Sequence, residues 1–276
     1  MALYRAKPGD GVAWITGASS GIGRALALDL AREGYTVAAT ARTAEKLALL
    51  ASEASALPGK IHSFPADVTD EKAMATVVAD IERQLGPITL AILNAGGYFR
   101  TRGERLETHN FLKTYETNLL GVLHGLVPVV DSMRDRGRGQ VAIVASVSGY
   151  FGWPSTAAYG SSKAALTNLA ESLKYDFDRL NIRIQVINPG FIDTSLTERV
   201  TMRLPAMMPV DKASRRIVAG LKHGGFETTF PRRFTWFLKL LRMMPQPVRF
   251  WFVAKATRWE RQPMLPAKTR RNRTEP

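Results

Sequence analysis

The sequence predicts an α/β fold, a doubly wound parallel sheet in a single domain, followed by a C-terminal helical basic arm. Three observations predict it. Short runs rich in Val, Ile and Ala alternate with longer helix-compatible segments, as in right-handed βαβ units. A glycine-rich turn follows the first apolar run and opens the first helical segment. The composition, 45% hydrophobic and 22% charged over 276 residues, supplies one full core.

The expected strands are 11–16, 36–40, 61–64, 88–93, 140–145 and 182–187. Each is short and apolar, as parallel strands covered on both faces are. The expected helices are 22–33, 44–55, 71–85, 106–136 and 156–180. Gly86-Pro87 and Asn188-Pro189-Gly190 punctuate the alternation as turns. From Pro231 the character changes, and aromatic and basic residues interleave among prolines. The expected division is therefore 1–230, the α/β domain, and 231–276, a basic-aromatic arm of short helices with a frayed tail from Lys268.

Several chemistries are excluded or disfavoured. With no cysteine there is no disulfide, thiol nucleophile or cysteine-bound metal. His62, His109, His124 and His223 show no metal-ligand spacing. Residues 1–10 carry Arg5 and Lys7 with no apolar run behind them, unlike a secretory signal. No uncharged apolar stretch reaches the ~18 residues of a membrane span, so the expected compartment is the cytoplasm. The net charge of +14 is local: from Arg215 onward fifteen Lys or Arg face three Glu, a net +12, which leaves +2 for the first 214 residues.

Thr16-Gly-Ala-Ser-Ser-Gly-Ile-Gly23 is the glycine turn. Gly17 permits a tight turn, Gly21 lets backbone approach a pyrophosphate, and Gly23 allows close helix–strand packing. Ser19, Ser20 and Ile22 lie at the helix start, whose free N–H groups and dipole suit phosphate. A plain βα turn is the competing reading. Its place between strand and helix favours a Rossmann-type dinucleotide site. The second strand ends in Thr40-Ala-Arg42 rather than an acidic residue. Guanidinium binds a ribose 2′-phosphate bidentately, so NADP(H) is the expected cofactor; otherwise Arg42 is a solvated helix-start residue.

Tyr159 and Lys163 share one face of a helix at i,i+4 spacing. A phenol titrates near ~10, and a neighbouring ammonium is expected to lower that value. Such a pair alone arises often by chance. Ser146 lies thirteen residues earlier, Asn94-Ala95-Gly96 follows another strand, and Asn118 lies between them. With Thr16 to Gly23, Asp67-Val68 and the Pro189-Gly190-Phe-Ile192-Asp-Thr194 run, these motifs resemble the single-domain short-chain dehydrogenase/reductase family across roughly residues 10–225. The resemblance implies that Tyr159 is the general acid or base, that Lys163 binds the nicotinamide ribose and lowers the Tyr159 pKa, and that Ser146 polarises the substrate oxygen. It also implies that Asn118 supports a water relay, that Asp67 meets adenine, that Asn94 lies near the ribose and that 189–194 surrounds the nicotinamide. Leu93 departs from an asparagine common before the Asn-Ala-Gly motif. Hydride transfer to or from a carbonyl needs no metal.

The substrate pocket is expected from Ser146, Ser148, Tyr150, Phe151, Trp153 and Tyr159, and from Leu196, Met202, Leu204, Met207 and Met208. Aromatic and methionine side chains suit a lipophilic ketone, aldehyde, steroid or acyl-type substrate; ordinary core packing is the alternative. Nine aromatics fall between Phe226 and Trp259, within a strongly cationic stretch that includes the arm. The arm is expected either to meet an anionic membrane surface through 231–260 or to pack within the molecule or dimer. Specific nucleic-acid binding is not expected, since a charged tail attracts only non-specifically. The resemblance further implies a homodimer or homotetramer through 106–136 and 156–180. A catalytically silent NADP-binding regulator or membrane-associated scaffold is the rival reading, and an extended-branch sugar-nucleotide enzyme a second, disfavoured by the Gly17-x-x-x-Gly21-x-Gly23 spacing.

Overall fold

The structure is a computed structural model that describes residues 3–194, 197, 206–261 and 263–264. Seven parallel strands form one sheet in the order β3-β2-β1-β4-β5-β6-β7. They are β1 (Val12–Thr16), β2 (Thr36–Thr40), β3 (Ile61–Ser63), β4 (Ile88–Leu93), β5 (Gly139–Val144), β6 (Ile182–Pro189) and β7 (Glu227–Phe230). The helices are α1 (Gly21–Arg32), α2 (Ala44–Glu53), α3 (Glu71–Leu85), α4 (Thr108–Tyr115), α5 (Gly121–Asp135), α6 (Ala157–Arg179), α7 (Val210–His223), α8 (Arg232–Met243) and α9 (Gln246–Thr257).

Strand alternation explains the two cores. In β1, Ala13 and Ile15 face the layer that holds α1 and α7, while Val12 and Trp14 face the layer that holds α3 and α5. β4 repeats this, with Leu90 and Ile92 on one face and Ala91 and Leu93 on the other. Trp14 is fully buried, and its indole N–H donates to Thr40 Oγ1 at 2.9 Å, which satisfies a polar group inside an apolar layer. α3 starts where Asp70 accepts from the Ala73 N–H at 2.9 Å and stops at Gly86, whose φ of +102° ends the helix.

Several expectations change. Asn188 and Pro189, expected in a turn, pair with Thr229 and Phe230 at the end of β6. The single helix expected over 106–136 is α4, a π-helical turn at Glu116–Leu120, and α5. α7 and the edge strand β7 were not expected. β7 reads Glu-Thr-Thr-Phe and lacks an apolar run, because only Phe230 is buried; its partner β6 supplies the pairing. The expected tail from Lys268 lies outside the described residues.

Ile92 is fully buried at the centre of the sheet. Ile92→Ala is expected to lower unfolding free energy by about 2–5 kcal/mol, read as a lower urea midpoint at unchanged m-value.

Candidate active site

The strand order reverses between β1 and β4, where chain crossovers leave to opposite sides and a crevice opens at the strands' carboxyl ends. Thr16, the last residue of β1, closes this junction. Its Oγ1 accepts from the backbone N–H groups of Asn94 (3.0 Å) and Ala95 (3.1 Å), and the Asn94 amide donates to the Thr16 carbonyl at 3.0 Å. A cleft of about 860 Å³ lies over it.

One end of the cleft is a cradle for an anion. Gly17 has φ +70°, and a Cβ there would lie 2.8 Å from Ala95 Cα. A Cβ on Gly23 would lie 2.3 Å from the Gly17 carbonyl oxygen, so Gly23 packs the helix onto the turn rather than facing the cleft. Ser20 does not cap α1 with its side chain, and the first turn holds no acidic residue. The helix start therefore keeps donors for an external acceptor. Ser19, Ser20, Gly21 and Ile22 all line the cleft, and Thr194 lies over Gly21. These features fit a dinucleotide pyrophosphate.

Arg42 lines the same end, is exposed, and has no salt-bridge partner among the described residues. Lys46, on the first turn of α2, lines it too. Sequence reasoning passed over Lys46, a second cation four residues after Arg42. Asp67 borders the cleft with its carboxylate accepting from the backbone N–H and the hydroxyl of Thr69. Val68, beside it, packs against Gly121.

At the other end lie Ser146, Tyr159 and Lys163. Ser146 follows β5 by two residues and accepts from the Ser148 N–H at 3.1 Å, opening a short 3₁₀ turn at Val147–Gly149. Tyr159 is on the first turn of α6, edge-on to Tyr98 with ring centroids 5.6 Å apart. Lys163 is buried, and its Nζ donates to the Val144 carbonyl at 2.8 Å. Asn118 is fully buried in the π-helical turn. Its Oδ1 accepts from the Gly97 N–H (2.7 Å) and its Nδ2 donates to the Gly97 carbonyl (3.0 Å). Asn118 is thus bonded to Gly97, which lines the cleft, and is not itself in the lining. A Cβ on Gly96 would meet both Asn118 Oδ1 and Lys163 Nζ, so this glycine is the point where the two converge.

The electrostatics differ from the expectation that Lys163 lowers the Tyr159 pKa. Burial is the largest influence on Tyr159 and raises its pKa, while hydrogen bonding with Ser146 opposes that rise. Burial also lowers Lys163 from 10.5 to about 8. Each group, desolvated in a narrow crevice, is pushed toward its neutral form.

The other expected substrate residues divide. Ser148 and Trp153 line the cleft, together with Tyr98, Phe99, Lys113 and Phe191, which sequence reasoning did not single out. Tyr150 and Phe151 do not line it. The 3₁₀ turn directs them into a separate cluster with Val147 and with Leu238 and Leu241 of α8. Tyr150 donates to Glu227, whose other carboxylate oxygen takes a bond from Lys239. Pro189, Gly190, Ile192 and Thr194 line the cleft as a group. Met208 is buried in the core beside α7, and Met207 is exposed outside the cleft. Leu196, Met202 and Leu204 lie outside the described residues.

Between about pH 8 and 10.5 the unfolded chain holds a proton on Lys163 that the folded one has released, so this group makes stability rise with pH there. The unfolding free energy of wild type minus that of Lys163→Met is expected to climb through this window by on the order of 3 kcal/mol, measured by urea titration of the ligand-free protein at each pH.

Residues 11–204 match the family model for short chain dehydrogenase. An uncharacterized oxidoreductase of Myxococcus xanthus is 33% identical over 236 residues, 86% of this chain and 93% of its own. A 3-oxoacyl-(acyl-carrier-protein) reductase of Thermotoga maritima is 34% identical over 189 residues, 68% and 77% of the two chains. The X-ray structure of an alcohol dehydrogenase from Thermococcus sibiricus, complexed with 5-hydroxy-NADP, superposes with a TM-score of 0.73 at 26% identity, covering 80% of this chain and 95% of that one. The seven-stranded parallel sheet, the glycine cradle and these matches make the chain a member of the short-chain dehydrogenase/reductase family, oxidoreductases that bind a nicotinamide cofactor.

Proposed function

We propose that the protein is an NADP(H)-dependent oxidoreductase interconverting a lipophilic carbonyl compound and its alcohol. The observation that carries this reading is one continuous cleft with Arg42 and the uncapped start of α1 at one end and Ser146, Tyr159 and Lys163 at the other. Gly17, Ser19, Ser20, Gly21 and Ile22 hold the pyrophosphate. Arg42 and Lys46 receive the 2′-phosphate, and an arginine without a carboxylate partner is free to do so. Asp67 and Val68 border the adenine, Asn94, Ala95 and Gly96 the ribose, and Pro189, Gly190, Ile192 and Thr194 the nicotinamide. The relative crystallised with 5-hydroxy-NADP supports the same preference.

Bound NADPH supplies hydride to the carbonyl carbon. Ser146 holds the carbonyl oxygen by a hydrogen bond. Tyr159 gives its phenolic proton to that oxygen as charge develops there, and takes it back when an alcohol is oxidised. A phenol kept neutral by burial is suited to the donor role. Lys163, held by the Val144 carbonyl, presents its amine to the ribose, and Asn118 clamps the Gly96-Gly97 backbone beside it for the relay that restores the Tyr159 proton. Tyr98 meets Tyr159 edge-on, and Phe99, Trp153 and Phe191 line the same cleft, which favours an apolar substrate. One relative is a 3-oxoacyl-(acyl-carrier-protein) reductase, which supports a carbonyl substrate of acyl type. All catalytic members are present together, which disfavours a silent regulator.

We also propose a homo-oligomer formed through α4, α5 and α6, which expose Leu112, Val127 and Tyr175.

Arg42→Ala is expected to raise KM for NADPH by roughly 10- to 100-fold, the worth of a charged hydrogen bond, and to leave KM for NADH nearly unchanged. Equal use of both cofactors by the wild type would overturn the preference. Tyr159→Phe is expected to cut kcat by about 10²–10⁴-fold while NADPH binding, read by fluorescence, persists. A panel of ketones and aldehydes tests the substrate class, and a preference for small polar carbonyls counts against it.

A further inference from the structure

We propose that the outer face of α8 and α9 is a docking surface for an anionic lipid bilayer. Sixteen large hydrophobic side chains are exposed among the described residues, and nine of them fall between Trp236 and Met264. On α8 these include Trp236, Leu240 and Met243, spaced i, i+4 and i+7 on one face. On α9 and its approach they are Met244, Val248, Phe250 and Trp251. The inner face is already engaged: Leu238, Leu241 and Val253 are buried against Val147, Tyr150 and Phe151. A helix apolar on two faces has one left to cover.

The charge around the outer face selects its occupant. Residues 231–264 carry eight Lys or Arg and a single acid, Glu260. Arg232, Arg233, Arg242 and Arg258 are exposed and have no salt-bridge partner among the described residues. Two copies of this face would bring like charges together, whereas anionic headgroups neutralise them. Trp236 and Trp251 suit the headgroup boundary, where an aromatic ring has one apolar and one wet side. Each helix has 12 residues, about 18 Å long, too short to cross a bilayer, so both lie in its plane. No helix among the described residues is long and apolar enough to cross. The inner end of α8 reaches the catalytic cleft, because Phe234 packs on Phe191 (5.8 Å) and Phe191 on Trp153 (6.1 Å).

The test is co-sedimentation of the full chain with vesicles of phosphatidylcholine alone and of phosphatidylcholine mixed with phosphatidylglycerol. The expected result is recovery with the anionic vesicles only, reversed by salt, with a blue shift of tryptophan fluorescence. The double variants Trp236→Ser/Trp251→Ser and Arg233→Glu/Arg242→Glu are each expected to weaken partition at least about tenfold, with NADPH affinity and thermal midpoint serving as controls of folding. Equal recovery of wild type in the supernatant of both vesicles overturns the proposal. So does a wild-type dimer, absent in the Trp double variant, without vesicle binding, which assigns the face to a second copy. Sedimentation needs no turnover, so neither outcome depends on the proposed reaction.

Discussion

The site depends on the bond set between Thr16 and Asn94. These residues end β1 and follow β4, the neighbouring strands whose crossovers diverge. The Thr16 hydroxyl accepts two backbone N–H groups and the Asn94 amide returns a bond to the Thr16 carbonyl. This reciprocity holds the glycine turn of β1 against Ala95, and the contact is so close that Gly17 has no room for a side chain. One polar clamp thus sets the anion cradle and the loop that leads to Gly96 at a fixed separation.

The reactive end is organised by desolvation. Lys163 reaches the site through the interior and is held by one carbonyl. Its burial opposes its charge, and the same crevice opposes ionisation of Tyr159. A site built this way carries an electrostatic cost in the ligand-free state, which the surrounding sheet has to offset. The fully buried Ile92 and Trp14 lie in the strands directly beneath. Packing in the central strands and polarity at their ends are two parts of one arrangement.

The C-terminal helices join this arrangement through Glu227. The carboxylate takes bonds from Tyr150, Asn188 and Lys239, which belong to the Ser146 loop, β6 and α8. Lys239 and the two neutral donors hold its pKa below the usual carboxylate range, against the opposing effect of burial. The loop that carries Ser146 and the first arm helix are therefore bound to a common anchor at the edge strand.

The sequence by itself determined the alternation of strands and helices, the glycine turn, and the order of Asn94, Asn118, Ser146, Tyr159 and Lys163 along the chain. These are local: apolar runs, glycine geometry and i,i+4 spacing act within a few residues. Strands β2 and β4 and helix α3 accordingly begin and end where their residues predict. Only the tertiary structure decided the rest. The π turn that holds the buried Asn118 interrupts a segment with continuous helical character. Tyr150 and Phe151 resemble pocket residues in sequence, but the 3₁₀ turn after Ser146 and the presence of α8 take them elsewhere. β7 is a strand because β6 offers it a pairing edge, not because its residues are apolar. The Lys163 shift arises from burial by residues distant in sequence. In each case the deciding force, packing or desolvation, depends on which parts of the chain come together, and that is not written in any one segment.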